Sequence, residues 1–286
     1  MHTPRPALRE HVEHLWTLSD APGHARERIV PSGTIELVFD LHADEIRIHD
    51  PFTAVERRFR GAVASGCYER AFEIDTRAHV LVVGVHFKPG GAARLLGAPS
   101  GALANLHVGL DELWGQEAVD LRERLGAASS PRLRFELLEH ALLARAAKQP
   151  HRRPAIGVAL AALDQPRATV GAVAEALGLS RRRLIEIFSE DVGISPKRYA
   201  MVRRFQRALA IAQREQAWSR IALEGGYYDQ AHLCRDWVEL TGVSPAAFVA
   251  LRGTPVKENH LAVPAGSNLS NPRRRRGRTV QETEEP

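Results

Sequence analysis

The chain has 286 residues, a length that suits two domains. Its residues are 44% hydrophobic and 26% charged, which is typical of a folded globular protein and excludes wholesale disorder. No apolar run approaches the ~20 residues of a membrane span and the first residues lack the apolar segment of a secretory signal, so we expect a cytoplasmic protein without a membrane partner. Its two cysteines, Cys67 and Cys234, are too few for a disulfide framework or for a zinc site with paired cysteine ligands.

Charge is distributed unevenly along the chain. Residues 1–150 contain 18 Lys and Arg against 20 Asp and Glu, a net charge of −2, whereas residues 151–252 contain 15 against 10, a net charge of +5. Residues 253–286 contain 6 Lys and Arg against 4 Asp and Glu, a net charge of +2. A slightly acidic first half followed by a basic second half indicates a module for a ligand or partner that is joined to a module for a polyanion.

The first half predicts strands followed by helices. Thr34–Leu41 alternates apolar and polar side chains like a half-buried strand, and His79–Phe87 is apolar almost throughout, like a strand covered on both faces. Shorter strands are predicted at Glu45–Ile48 and Arg70–Ile74. These short strands without long helices between them predict a small antiparallel β-barrel or sandwich.

Helical patterns follow this group of strands. Helices are predicted at Ala92–Leu96, Ala118–Leu125 and Arg132–Lys148. The last has an apolar stripe that suits either a core or a contact with a second copy of the chain. Residues 1–147 are therefore expected to form an α+β domain, and residues 148–154, which contain two prolines, are expected to form a linker.

The second half predicts helices only. Residues 155–252 alternate helical patterns with turns, which predicts an all-α domain. Residues 253–286 have few large apolar side chains and blocks of like charge, including Arg273–Arg276, so we expect a disordered tail.

An internal repeat lies within the all-α domain. Ser180–Tyr199 matches Asp229–Phe248 at an offset of 49 residues. The matched positions hold a leucine, a large aromatic residue, a glycine and a Ser-Pro pair: Leu184 and Leu233, Phe188 and Trp237, Gly193 and Gly242, Ser195-Pro196 and Ser244-Pro245. Each copy begins at an expected N-cap, Thr169 or Ser219, turns at a glycine and starts a second helix at Ser180 or Asp229. This is the outline of two helix-turn-helix motifs.

The second helix of such a motif places its first residues in the major groove of DNA. The leucine and the aromatic residue of each second helix are spaced i, i+4 and are expected to face the core. The exposed positions of the same helix are then available to contact DNA. In the first copy these are Arg181, Arg182 and Ile185, and in the second copy they are Gln230, Ala231 and Arg235. Arginine pairs with guanine and glutamine with adenine.

Further positions near these two helix starts complete the candidate DNA-binding set. Arg181, Arg182 and Arg183 suit base contacts, phosphate contacts or a solvated basic face. Ser180 and Ser219 belong to this set because they lie at expected helix starts. His232 belongs to it because it lies beside Leu233, where it can pack against a neighbouring residue or contact a phosphate.

The second copy resembles the AraC/XylS family of bacterial transcription regulators. The resemblance rests on Ile221–Trp237 with Gly242–Pro245 and covers about 100 residues, including Pro196–Gln216, which resembles the helix that joins the two motifs in that family. It implies that both recognition helices enter successive major-groove segments on one face of the DNA. The family's base-contacting positions fall on Arg182, Ile185, Glu186, Gln230, Ala231 and Arg235. Glu186 departs from the arginine usual at its position.

The first half resembles the uncharacterised N-terminal domain of some AraC-type regulators. The resemblance rests on Ile29–Gly33, Glu36–Phe39, Gly84–Gly91 and the helices that follow. It implies a cupin-like domain that senses an effector or dimerises. Together the two resemblances imply a transcription activator or repressor that binds double-stranded DNA and RNA polymerase. A small-molecule effector of unknown identity and a homodimer are further expected partners.

Two other function classes remain as alternatives. The arginine run at 273–276 suits a nonspecific or architectural DNA-binding protein. A cupin-type metal enzyme would need a His/Glu constellation, and His42, His49, His79 and His86 lack a diagnostic spacing. We therefore predict a sequence-specific regulator that is not an enzyme, with no catalytic residues, metal or cofactor.

Overall fold

The computed structural model describes residues 1–20, 23–147, 153–166, 168–251 and 259–263. No helix in these ranges is long and apolar enough to cross a membrane. The described chain forms β1 (Val12–Ser19), β2 (Arg26–Ile29), β3 (Glu36–Asp40), β4 (Glu45–His49), β5 (Glu56–Arg60), β6 (Ala62–Ser65), β7 (Phe72–Asp75), β8 (Leu81–Phe87), β9 (His107–Gly109) and β10 (His260–Ala262).

The helices lie in two groups, before and after residues 148–152. The first group is α1 (Ala92–Leu96), α2 (Leu110–Trp114), α3 (Gln116–Ala127) and α4 (Pro131–Ala146). The second group is α5 (Pro154–Leu163), α6 (Val170–Ala176), α7 (Arg181–Val192), α8 (Pro196–Ile211), α9 (Trp218–Gly225), α10 (Gln230–Thr241) and α11 (Pro245–Leu251).

The strands form two antiparallel sheets of five strands each. Their orders are β1-β8-β3-β6-β9 and β10-β2-β7-β4-β5. The two strongest predicted strands are β3 and β8, which pair side by side in the first sheet with Leu37 opposite Val85. The apolar residues Ile46 and Ile48 of the second sheet pack against Val63 of the first. The α+β class is therefore confirmed.

The sheets do not close into the expected barrel. No ladder joins the two sheets among the strands that the structure describes. The edge strand β5 carries Arg57, Arg58 and Arg60, and four of its five residues are exposed. Charged side chains on an edge strand disfavour further pairing, so the second sheet ends there.

The predicted helices of the first half are confirmed as α1, α3 and α4. Helix α4 buries Phe135, Leu138 and Leu142, so its apolar stripe belongs to the core. Glu139 on the same helix is also buried and lies 2.9 Å from the guanidinium of Arg5. The ion pair fixes the amino-terminal segment against this helix.

The expected linker and tail differ from the structure where it describes them. Helix α5 begins at Pro154, inside the expected linker, and residues 148–152 lie outside the described residues. The expected disorder of residues 253–286 is wrong for β10, which pairs with β2 and places Leu261 opposite Arg28. Leu261 is 1% exposed and His260 Nδ1 lies 2.5 Å from Glu27 Oε2, so a buried apolar side chain and a polar contact hold this short strand. The rest of the tail, including Arg273–Arg276, lies outside the described residues.

The two halves are in direct contact. Their buried apolar side chains form one continuous cluster. The Ala71 N–H donates to the Leu240 carbonyl at 2.7 Å, which joins the first half to the end of α10. A Cβ on Gly193, at the end of α7, would lie 2.9 Å from the Cβ of Cys67, so the backbone approaches the first half closely there.

Candidate DNA-binding surface

Two helix-turn-helix motifs are present, α6–α7 and α9–α10. The turn of the first motif passes through Gly178 with φ +65°, and that of the second passes through Gly226 with φ +85°. These left-handed conformations favour glycine because it has no Cβ. The same backbone geometry at matched positions confirms the repeat. We call α7 and α10 the recognition helices.

Side-chain caps begin both recognition helices at the predicted residues. The Ser180 hydroxyl accepts from the Arg183 N–H at 3.1 Å, and the Asp229 carboxylate accepts from the His232 N–H at 2.6 Å. Each cap satisfies one of the backbone donors that a helix start leaves unpaired. The first residues of α7 and α10 are thereby fixed in helical geometry.

The predicted cap at Ser219 is wrong. Helix α9 begins at Trp218, with Ala217 at its N-cap position and no side-chain cap. The Glu215 carboxylate accepts from the N–H groups of Gln216 and Ala217, each at 2.8 Å, and so fixes the chain just before the helix. Ser219 is an exposed residue of the first helical turn.

The inward positions of both motifs are confirmed. Leu184, Phe188, Leu233 and Trp237 are all fully buried. The small residues Ala174 and Ala222 are each 1% exposed, as expected where two helices pack closely. Burial of these residues on one side of each recognition helix leaves the other side to solvent.

The candidate DNA contacts lie on that other side. The side chains exposed at the starts of the recognition helices are Ser180, Arg181, Arg182, Arg183, Ile185, Glu186, Gln230, Ala231 and Arg235. His232 is half-buried. The structure thus brings each predicted set together at the amino-terminal end of an exposed helix face.

An ion pair crosses the face of α7. Arg182 Nε lies 3.0 Å from Glu186 Oε1, and Arg183 Nη1 lies 3.5 Å from Glu186 Oε2. The hydrogen bond from Arg182 lowers the pKa of Glu186, so the side chain is a carboxylate at neutral pH. One negative charge therefore lies within the basic start of the first recognition helix.

A network that the sequence did not indicate anchors α10 on α8. Arg204 Nη2 donates to Asp236 Oδ2 at 2.7 Å, and its guanidinium carbon lies 4.8 Å from the centre of the Tyr227 ring. The His232 ring lies edge-on to Tyr227, with centroids 5.2 Å apart. His232 is therefore a packing neighbour, one of the two roles expected for it. Arg204 is distant in sequence from both partners, and only the i, i+4 spacing of His232 and Asp236 hints at the cluster.

Two family models match the chain. A model described as a helix-turn-helix domain matches residues 173–250, which contain most of the first motif and all of the second. A model described as a domain of unknown function, DUF6597, matches residues 1–109. The second half is thus a helix-turn-helix DNA-binding domain, and the first half has a counterpart in other proteins.

Similar proteins are found among curated sequences and solved structures. An uncharacterized HTH-type transcriptional regulator from Haemophilus influenzae is 34% identical over 92 residues, which are 31% of this chain and 31% of that protein. The match therefore spans about a third of the curated relative.

Two solved structures are similar at lower identity. ToxT from Vibrio cholerae with an unsaturated fatty acid bound has a TM-score of 0.46 at 9% identity, covering 85% of this chain and 96% of that chain. The C-terminal domain of AraT, a response regulator from Geobacillus stearothermophilus, has a TM-score of 0.34 at 23% identity, covering 37% of this chain and 93% of that chain.

Proposed function

We propose that this chain is a transcription regulator of the AraC family, which recognises specific DNA sequences through α7 and α10. The observation that carries the proposal is the pair of exposed faces at the starts of these helices, each backed by a buried leucine and aromatic residue. Two such faces give more base contacts than one and so more discrimination between sequences.

The second recognition helix presents the simpler base-contacting face. Gln230, at the first position of α10, matches the donor and acceptor pattern of adenine, and Arg235 matches that of guanine. Ala231 leaves room for a thymine methyl group. The first recognition helix combines Arg182 and Ile185 with the Glu186 ion pair, so its arginines bind DNA in competition with a carboxylate.

Helix α8 fixes the spacing of the two recognition helices. The Tyr199 ring lies edge-on to Phe188 of α7, with centroids 5.5 Å apart. The Phe205 ring lies edge-on to Trp237 of α10 at 5.0 Å. Because both recognition helices pack against one rigid helix, they favour DNA sites whose two contacted segments have a fixed separation.

The first half is placed to influence both recognition helices. It contacts α7 at Gly193 and α10 at Leu240, in each case at the end remote from the candidate DNA contacts. We include in the proposal that a small-molecule effector acts through these contacts. Binding to RNA polymerase and to a second copy of the chain are further parts of the proposed regulatory activity.

Selection from random DNA tests the proposal. The full chain is used to enrich binding sites, and the enriched site then competes with bulk genomic DNA for the protein. We expect the enriched site to bind at least ~10³-fold more tightly than bulk DNA, as specific regulators do. An advantage below about tenfold would instead support the nonspecific or architectural alternative.

A further inference from the structure

A cavity of about 240 Å³ lies between the two sheets. Its walls are mainly branched apolar side chains from both sheets, namely Ile29, Val38, Ile46, Ile48, Val63 and Ile74. Trp16 and Phe72 add aromatic surface. An apolar concave site with a few polar groups is the usual form of a small-molecule site. This volume lies just below the ~300 Å³ at which sites for drug-sized ligands begin, so it suits a compact organic molecule.

The charged side chains in the cavity wall are acidic. Glu27 and Glu36 line the cavity, and no lysine or arginine side chain is among the described residues that do so. Glu36 Oε1 accepts a hydrogen bond from Trp16 Nε1 at 2.9 Å. His79 and His260 also line the cavity. Met1, which carries the amino group of the chain, lies at the wall as well. The two carboxylates favour a ligand that donates hydrogen bonds.

Glu27 is the buried carboxylate of this wall, 4% exposed. Its Oε1 lies 2.7 Å from His24 Nε2, and its Oε2 lies 2.5 Å from His260 Nδ1. Burial alone would raise the pKa of Glu27, but the hydrogen bonds and charges of His260 and His24 lower it to about 2. Each carboxylate oxygen accepts more than one hydrogen bond, so Glu27 retains capacity for a donor from a ligand.

We propose that this cavity binds a small apolar molecule that carries a protonated nitrogen, and that Glu27 recognises the nitrogen. A carboxylate ligand would bring a further negative charge next to Glu27 and Glu36, which is unfavourable. The inference rests on the regulatory function proposed above, because it names the chemical class of the effector.

The position of Glu27 also connects the cavity to the DNA-binding half. Successive residues of a strand point to opposite faces, and Arg28 follows Glu27 on β2. Arg28 Nη1 donates to the carbonyl of Thr241, the last residue of α10, at 3.0 Å. A ligand held by Glu27 is thus one residue from a contact with the second recognition helix.

Three probes with the same apolar body and different head groups test the proposal. They are 4-phenylbutylamine, 4-phenylbutan-1-ol and 4-phenylbutyric acid, titrated calorimetrically into the full chain at about pH 8, above the usual pKa of histidine. The variants are Glu27→Gln and, as a matched control on the surface, Glu13→Gln. We expect the amine to bind most tightly and Glu27→Gln to weaken it by about tenfold or more while sparing the alcohol. Glu13→Gln should change neither affinity.

Hydrogen exchange of the wild-type chain locates the site without a substitution. The amine should slow exchange at the amides of Arg26–Ile29 and His260–Ala262, the two strands beside Glu27. The inference is overturned if the acid binds as tightly as the amine or if no probe binds. It is also overturned if folded Glu27→Gln binds the amine with unchanged affinity, or if the amine slows exchange only at amides outside these two strands. Site selection on ligand-free protein tests the proposed function separately, so a chain that selects a DNA site yet ignores the amine loses only this inference.

Discussion

Arg182 Nε lies 3.0 Å from Glu186 Oε1, one turn further along the exposed face of α7. The pair lies among the residues expected to meet DNA, and Arg183 approaches the other carboxylate oxygen at 3.5 Å. DNA phosphates and guanine must therefore compete with Glu186 for these guanidinium groups. The first recognition helix carries its own competitor, whereas the carboxylate one turn after Arg235 on the second, Glu239, pairs with Arg198 of α8.

Replacing Glu186 by glutamine should strengthen DNA binding. The change removes one negative charge and releases Arg182 and Arg183 from their ion pairs. We therefore expect the affinity for DNA to rise roughly threefold to tenfold at ~0.1 M salt. The affinity should also fall more steeply with salt concentration, because about one more ion is released when the DNA binds. Fluorescence anisotropy over a range of salt concentrations measures both. Glu123→Gln changes net charge equally on an exposed turn of α3 and should have little effect. Equal gains in both variants would show that only net charge matters.

Arg28 should be essential to the contact between the halves. Its side chain is 0% exposed, lies 2.6 Å from Glu73 Oε1 and donates to the Thr241 carbonyl. Arg28→Met removes this ion pair and leaves the carboxylate of Glu73 buried without it. We therefore expect the free energy of unfolding in urea to fall by about 3–5 kcal/mol.

The double variant Arg28→Met/Glu73→Gln is the matched control for that experiment. It removes the buried charge together with its partner, so it should lose less stability than Arg28→Met alone. A single variant as stable as the double variant would show that the carboxylate of Glu73 carries no penalty once Arg28 is gone, which would contradict this account.

Glu27 should make stability depend on pH. Its pKa is lowered from 4.5 to about 2, so its ionised form stabilises the fold fully above about pH 4.5 and this contribution is lost as the pH falls towards 2. The full contribution is about 3 kcal/mol. The difference in free energy of unfolding between wild type and Glu27→Gln should therefore shrink as urea titrations move from about pH 5.5 to about pH 3. A difference that stays constant over this range would contradict the assignment.

The helix-turn-helix motifs were predictable because their determinants are local. The i, i+4 pairing of Leu184 with Phe188 and the turn at Gly178 lie within one short segment, and the second copy repeats them. Such patterns fix which face of a helix is buried and hence which face is exposed. The candidate DNA contacts followed directly. Ser219 failed as a cap because Glu215, outside the repeat, fixes the chain before the helix.

The junction and strands β2, β5 and β10 of the second sheet were not predicted from local patterns, whereas β4 and β7 of that sheet were. Arg28 and Thr241 are 213 residues apart, and nothing in either segment indicates the other. Strand β10 has one fully buried side chain, Leu261, in a polar stretch whose composition predicts disorder. Strand β5 is a charged edge strand without the alternating pattern of a half-buried strand. Only the folded arrangement of the sheets shows that Glu27 lines a cavity.

The most direct test of sequence-specific recognition is the binding free energy of Arg235→Ala on the enriched DNA site and on every single-base variant of that site. A base contact by Arg235 predicts a loss of about 1–3 kcal/mol on the enriched site and a relaxed preference at one base pair, with preferences elsewhere retained. Arg124→Ala, on the exposed surface of α3, should bind like wild type. Equal weakening on all sequences would place Arg235 on the phosphates and contradict the assigned role of the second recognition helix.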